Sequence, residues 1–335
     1  MATAFITVFI MIPWFITIIK KLYPKGQPIK EIGPGWHKKT KAQVPTMGGI
    51  PILFALITSV LLWSNLDNPY IWITLFATVS LGLLGFIDDY LKVSKRNNSK
   101  GISARTKLII QAIVALIACL AIQKFSLTEY KTHITIPFFK SVLINLSYFY
   151  PVFVIFVIVG ASNSVNLTDG LDGLVAGSFT VAALCFGIIC YLVGNYIFSR
   201  YLQIHHVPGA GELAVFCAAL IGASMGFLWY NVPPASIFMG DVGSLALGGA
   251  LGVISVITKH EFVLAIIGGL FVIESLSVII QVGFFKMTKG QRVFLMAPLH
   301  HHFEKKGWKE SQIVIRFWMI AIILGLIGLA TLKLR

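Results

Sequence analysis

Charge is scarce in this sequence. Of 335 residues, 12% are Asp, Glu, Lys or Arg, and only 13 are acidic. A water-soluble domain carries about twice that share, roughly 25%. The shortage excludes an ordinary soluble globule. Cysteine is scarce too. Cys119, Cys185, Cys190 and Cys217 all lie inside apolar stretches, with no CxxC and no histidine at ligand spacing. They read as small buried residues, which excludes a disulfide framework and a cysteine zinc site. There is no Walker A pattern, no strand-borne glycine fingerprint and no HExxH. Nor is there a tandem period of roughly 20–50 residues or a low-complexity segment.

What is present is apolar sequence in long runs: 57% hydrophobic residues and a mean hydropathy of +0.84. A helix that crosses a bilayer needs about 20 such residues. Hydropathy and breakers place ten candidate spans, at 3–22, 46–64, 70–88, 107–125, 149–162, 172–195, 212–229, 238–257, 262–285 and 313–333. The fifth is short and opens on Pro151. The expectation is an all-α polytopic membrane protein, a single integral membrane domain over 1–335. Lys20 and Lys21 follow the first apolar run instead of preceding it. That order is opposite to a cleaved signal peptide and predicts a retained first span with its N-terminus outside.

The basic residues predict the topology. The loops joining spans 1/2, 3/4, 5/6, 7/8 and 9/10, with their flanks, hold 20 of the 27 Lys and Arg. The positive-inside tendency makes that face cytoplasmic and puts both termini outside. Eight of the 13 acidic residues share the face: Glu31, Asp88, Asp89, Asp169, Asp172, Asp241, Glu304 and Glu310. The spans are clean in their middles apart from Glu274. GLVAG (173–177) and GGALG (248–252) place glycines four apart within spans, a spacing that permits close helix packing.

Five stretches on this face carry residues of chemical interest. GFIDDYLKV (85–93) ends an apolar run in Asp88 and Asp89. Neighbours on a helix point about 100° apart, so one carboxylate could address a metal while the other meets a base. Alone, Asp88 and Lys92 read as an exposed i,i+4 ion pair. In ASNSVNLTDGLDGL (161–174), Asn166, Asp169 and Asp172 fall at i, i+3, i+6, a polar strip if the segment is helical. Thr168 or Asp169 is also a good N-cap for the sixth span. NVPPASIFMGDVGSLALGG (231–249) sets Asp241 between glycines that would let backbone N–H groups approach an anion, with Phe238 beside them. MAPLHHHFEKKGW (296–308) holds three consecutive histidines, which diverge too much to ligate one metal together. They suit phosphate binding or proton relay, or simply decorate a basic loop. GWHKKTKAQVPTMGG (35–49) brings lysines to a Pro-Thr-Met-Gly-Gly turn; such lysines ordinarily attract anionic lipid.

Convergence decides between the plain readings and the chemical one. Five loops bring carboxylates, glycines, lysines and histidines to one membrane face. Carboxylates suit Mg²⁺, and the lysines suit a diphosphate. The residues therefore point to Mg²⁺-assisted phosphoryl transfer at the cytoplasmic membrane surface, governed by positioning and charge neutralisation.

PTMGG, GFIDDYLK, NLTDGLDGL, FMGDVGSLALGG and MAPLHHHFE with KKGW, in this order, resemble the polyprenyl-phosphate N-acetylhexosamine-1-phosphate transferases. The similarity runs from about residue 26 to 318, and PLHHHFE favours the phospho-muramoyl-pentapeptide branch over the N-acetylglucosamine branch. The resemblance implies ten spans, a homodimer and a cytoplasmic cleft in the bacterial inner membrane. It implies UDP-MurNAc-pentapeptide and undecaprenyl phosphate as substrates, Mg²⁺ as cofactor and no nucleic acid. It assigns Asp241 as the principal metal ligand with Asn166, Asp88 to the lipid phosphate, Asp89 in support, and His300 to catalysis. Lys41, Thr46, Lys92, Lys107, Asn166, Asp169, Asp172, Asn231, Phe238, Gln281, Ala297 and His301 are assigned to substrate. Val44 departs from the threonine usual in the family before PTMGG.

Two rivals stand beside this reading. One is a transferase of the same superfamily that uses UDP-N-acetylglucosamine. The other is a transporter or lipid flippase, for which Glu274 and Gln281, seven residues apart on one helix face, are the only hints.

Overall fold

In a bilayer the backbone must satisfy its own N–H and C=O groups, and apolar runs of this length do so as helices. The computed structural model describes residues 1–22, 44–95 and 101–333. In chain order the helices are α1 (Ala2–Leu22), α2 (Gly49–Trp63), α3 (Pro69–Ser94), α4 (Ala104–Phe125) and α5 (Tyr150–Thr168). Then come α6 (Leu174–Gly194), the short α7 (Tyr196–Leu202), α8 (Leu213–Asn231) and α9 (Gly240–Thr258). The last are α10 (Glu261–Ile267), α11 (Gly269–Met287), the short α12 (Leu299–Lys305) and α13 (Glu310–Ala330). Among the described residues, nine helices are long and apolar enough to cross a membrane, and α2, with 15 residues, is a shorter apolar helix. This is the expected all-α polytopic membrane architecture.

Helix starts follow local chemistry. Asn68 accepts the Tyr70 N–H at 2.9 Å ahead of Pro69 at the first helical position of α3. Ser103 accepts from Thr106 at 3.2 Å and starts α4. Such caps satisfy donors the helix itself leaves open.

The most enclosed element is α9, buried from Val242 to Thr258 and packed between α3 and α5. Its GGALG run does what glycines four apart permit. A Cβ on Gly248 would meet the Ala161 carbonyl at 2.5 Å, and one on Gly252 would meet the Ile158 Cα at 2.9 Å. GLVAG differs from expectation. Gly173 precedes α6 as its left-handed cap, φ 77°, and Gly177 makes room for the Trp318 indole, not for another backbone. Large apolar side chains such as Trp14, Leu62, Leu83, Phe156 and Ile323 face outward, as lipid contact requires.

Three departures from the expected spans matter for the site. The third helix continues past residue 88 to Ser94, so Asp88 and Asp89 lie within it. The fifth reaches Thr168, long enough to carry Asn166 in its last turn. The ninth expected span is broken at the Gly268–Gly269 pair into α10 and α11. A short antiparallel hairpin, β1 (His133–Ile136) with β2 (Phe139–Asn145), pairs His133 with Asn145 in a segment expected to be a plain loop. It docks at the end of the bundle opposite the acidic loops.

Candidate active site

Two helix ends bring the acidic residues together. The last two turns of α3 carry Asp88 and Asp89, both buried; the first turn of α9 carries Asp241. One oxygen from each lies within 4.8 Å of the others. Close approach of α3 to α9 requires Gly85, where a Cβ would fall 2.2 Å from the Asp241 carbonyl oxygen. Although Asp88 and Asp89 diverge, both meet the start of α9: Asp89 Oδ2 lies 3.4 Å from the Val242 N–H, and Asp88 shares Lys92 and Lys107 with Asp241.

Two ammonium groups hold this cluster. Lys107, in the first turn of α4, donates to Asp88 Oδ2 and to Asp241 Oδ2, both at 2.7 Å. Lys92 lies 3.0 Å from Asp241 Oδ2 and 4.0 Å from Asp89 Oδ1, and also pairs with Asp88. The Asp88–Lys92 pair is therefore not the exposed interfacial ion pair of the plain reading. Asp88 Oδ1 accepts the Ile102 N–H at 2.7 Å, which ties the entry to α4 onto α3. Asn166 donates from Nδ2 to Asp241 Oδ1 and to Ser244 Oγ, both at 2.8 Å, and so orients the Asp241 carboxylate.

The donors fit a hard divalent cation. All three are carboxylates, hard oxygen donors, and three such groups face two ammonium groups. Like charges this close in a low dielectric favour a further positive partner. Asp241, whose side chain is 17% exposed, is the one of the three that opens outward.

Two motifs that are distant in sequence form one backbone unit beside the cluster. Phe238 N–H donates to the Pro45 carbonyl at 2.8 Å; Gly48 and Gly49 N–H donate to the carbonyls of Phe238 and Met239 at 2.9 Å. This seam puts buried Thr46 next to Gly240. A Cβ on Gly240 would meet Asp89 Oδ2 at 2.4 Å and Thr46 Oγ1 at 2.9 Å. Lys41 lies outside the described residues.

The expected strip of Asn166, Asp169 and Asp172 is not a helical strip. α5 ends at Thr168, and Asp169 follows as its C-cap with φ −76° and ψ 60°. The N-cap of α6 is Gly173, not Thr168 or Asp169. A glycine-rich stretch gives these residues to a turn, so only Asn166 reaches Asp241. Asp172 instead accepts the Ala235 N–H at 2.9 Å. Asn231 accepts from Gly173 N–H at 2.9 Å and donates to the Ile237 carbonyl at 2.8 Å. Together they fasten the 232–239 loop to the 169–173 turn.

The histidines form a second group. His300 is fully buried in α12, packed on this turn; a Cβ on Gly170 would lie 2.2 Å from its Nε2. His301 Nδ1 is 2.6 Å from Glu304 Oε2. Gln281 accepts from Phe294 N–H at 2.9 Å and donates to the Phe294 carbonyl at 3.1 Å, bracing the loop that carries half-buried Ala297. Glu274 also bonds to this loop, at Leu299 and His300. Both hints of a transport path thus have backbone partners. Ser244 and the Ile102 N–H escaped notice in the sequence, although Ser244 sits three residues after Asp241 on the same helical face.

Carboxylates and ammonium groups gathered at the end of an apolar helix bundle are the equipment of a membrane-bound transferase. Residues 71–259 match the model of the family described as Glycosyl transferase family 4. That is more than half of the chain, and the protein belongs to this family. The family includes phospho-MurNAc-pentapeptide transferase and polyprenyl-phosphate hexosamine-1-phosphate transferases. The matched region carries the three aspartates, both lysines and Asn166; the PTMGG turn and the histidine stretch lie outside it.

Proposed function

We propose that the protein transfers phospho-MurNAc-pentapeptide from its UDP carrier to undecaprenyl phosphate, giving lipid I and UMP. The observation that carries this reading is the convergence of Asp88, Asp89 and Asp241 with Lys92 and Lys107 at one end of the bundle. The histidine stretch supports the muramoyl branch. The charge pattern of the loops supports a cytoplasmic site in a bacterial inner membrane, and the family resemblance supports a homodimer.

An oxygen of the lipid phosphate attacks the sugar-side phosphorus of the donor. A new P–O bond forms, the P–O bond to UMP breaks, and UMP leaves with the electron pair. Asp241, with Asp88 and Asp89 behind it and Asn166 orienting it, would hold Mg²⁺. Bound there, the ion supplies neutralising charge for the diphosphate and the departing UMP. Lys92 and Lys107 present ammonium groups to the phosphates, and Asp88 fixes both of them, so it orients the lipid phosphate through the lysines it holds. The phosphates must enter from the side on which Asp241 is open.

The test is donor choice. Purified protein with undecaprenyl phosphate and Mg²⁺ should release UMP from UDP-MurNAc-pentapeptide and not from UDP-N-acetylglucosamine. Release from the glucosamine donor alone would move the protein to the other branch.

A further inference from the structure

Glu274 is an ionisable residue in the body of an apolar helix, where a carboxylate without partners is costly and usually functional. It is completely buried in the second turn of α11. Its carboxylate reaches across to α12. Oε2 accepts the Leu299 N–H at 2.6 Å, and Oε1 accepts the His300 N–H at 3.1 Å. These are two of the donors that the first turn of any helix leaves open. Pro298, at the N-cap, has no side-chain oxygen to satisfy them.

Capping alone does not account for the arrangement. Glu274 Oε1 also lies 3.3 Å from His300 Nδ1, at ion-pair distance but outside hydrogen-bond angles. The ring's other nitrogen, Nε2, is buried, makes no hydrogen bond among the described residues, and abuts Gly170. The imidazole is thus held between a carboxylate on one side and a turn on the other. The same turn follows directly on Asn166, which orients Asp241, since Asp169 N–H donates to the Asn166 carbonyl at 3.2 Å. The polar nitrogen facing the turn is the group such a clamp would serve.

We propose that Glu274 is a positioning residue for the transfer reaction: it fixes the His300 imidazole with Nδ1 toward the carboxylate and Nε2 toward the 169–173 turn. This rests on the reading of the site as a phosphotransferase. Gly170 belongs to the same device, because any side chain there displaces the ring. Its φ is not positive, so alanine fits the backbone, and the three atoms nearest to its Cβ all belong to the His300 ring.

The experiment separates ring orientation from helix capping. Turnover is measured as UMP release for the wild type, E274Q, G170A, H300A and the doubles E274Q/H300A and G170A/H300A. E274Q removes the anion; G170A leaves the cap intact and pushes the ring. Each single variant should lose about tenfold or more in turnover, while adding less than about twofold to H300A, because neighbours acting through one group are not additive. Wild-type turnover in G170A, or an E274Q loss that persists undiminished without His300, overturns the proposal.

A readout independent of turnover accompanies this: the rate of diethyl pyrocarbonate modification at His300, mapped by mass spectrometry with His302 of the same helix as reference. His300 should react faster relative to His302 in both E274Q and G170A. An unchanged ratio overturns the proposal even where E274Q is too unstable to assay. If the wild type releases no UMP from either donor, the functional reading fails, and this ratio alone decides the placement of the ring.

Discussion

The molecule buries charge at both ends of its helix bundle, in opposite ways. At one end, three carboxylates face two ammonium groups, and Lys92 and Lys107 keep 17% and 20% of their side chains exposed. At the other end, Lys259 and Glu261 are about 4% exposed and stand one against one. Lys259 donates to the Tyr150 hydroxyl at 2.7 Å and to the Lys131 carbonyl at 2.9 Å, while its own carbonyl accepts Thr135 Oγ1 from the hairpin. This end is closed: the Lys259 ammonium is spent on a hydroxyl and a backbone carbonyl, and the Glu261 carboxylate, without a hydrogen bond among the described residues, meets it through charge alone. The acidic cluster is unbalanced and open. Burial of a balanced pair serves the fold, because removing one member strands the other. A surplus of one sign, with access from outside, serves a ligand of the opposite sign.

The titration of the closed end reflects the same burial. Burial lowers Lys259 to about 8 despite the neighbouring Glu261 carboxylate, and raises Glu261 to about 7 despite the Lys259 ammonium. Burial lowers His260 to about 4, against the pull of the Thr258 carbonyl and with a small push from His205.

If the contrast holds, the two ends should separate activity from stability. Asp241→Asn should show the largest effect, a loss of roughly a thousandfold in UMP release, with the unfolding temperature in detergent nearly unchanged. Near-normal turnover at saturating Mg²⁺ would remove Asp241 from the metal role. Chelation of Mg²⁺ should abolish wild-type turnover to the same extent, and added Mg²⁺ should restore it.

Lys259→Met should do the reverse. It leaves buried Glu261 without the Lys259 ammonium and removes the bonds to the Tyr150 hydroxyl and the Lys131 carbonyl, so it should cost about 3 kcal/mol of stability by denaturant titration. Turnover at a permissive temperature should stay within about twofold, since the site is at the opposite end of the bundle. A catalytic defect without loss of stability would dissolve the contrast between the ends.

A smaller effect concerns pH. His260 has its folded pKa depressed below 6.5, so its contribution to stability is present above that value and is lost as the pH falls toward 4. Relative to wild type, His260→Asn should gain up to about 3 kcal/mol on going from pH 7 to pH 4. Glu261, raised to about 7, acts with the opposite sign: its contribution is present below pH 4.5 and lost as the pH rises through 7. It is common to both proteins and cancels in the difference. A difference that does not change with pH would show that folding leaves the His260 pKa at its unfolded value.

The smallest effect is expected within the histidine run. His302 is only partly buried, and its Nδ1 faces the Leu295 N–H at 3.1 Å. His302→Ala should cost at most about 1 kcal/mol of stability and a few-fold in turnover, against a severe loss for His300→Ala. Equal losses would make the run a collective basic patch.

How far the sequence was legible depended on whether a feature was local. Ten apolar runs announced the bundle, because burial in lipid acts on each run by itself. Asp88, Asp89 and Asp241 stood out for a similar reason, as charges at the ends of apolar helices. The strip of Asn166, Asp169 and Asp172 failed because helical spacing was extended through Gly170 and Gly173, where the chain turns. The hairpin was missed because strands of four and seven residues leave little periodicity. Glu274 was visible as an anomaly, but its partners lie 25 and 26 residues away in the first turn of a seven-residue helix, too short for periodicity to reveal.

The seam that joins Pro45–Gly49 to Phe238–Met239 has a consequence for synthesis. Lys92 and Asp241 are separated by 149 residues, so α3 emerges well before α9 exists. At about 5–20 residues per second, its carboxylates wait on the order of ten seconds for their third partner. In that interval Lys92 and Lys107 are the counterions within reach. The lysines that later face substrate phosphates thus also accompany a half-built helix into the membrane, until α9 completes the trio of carboxylates.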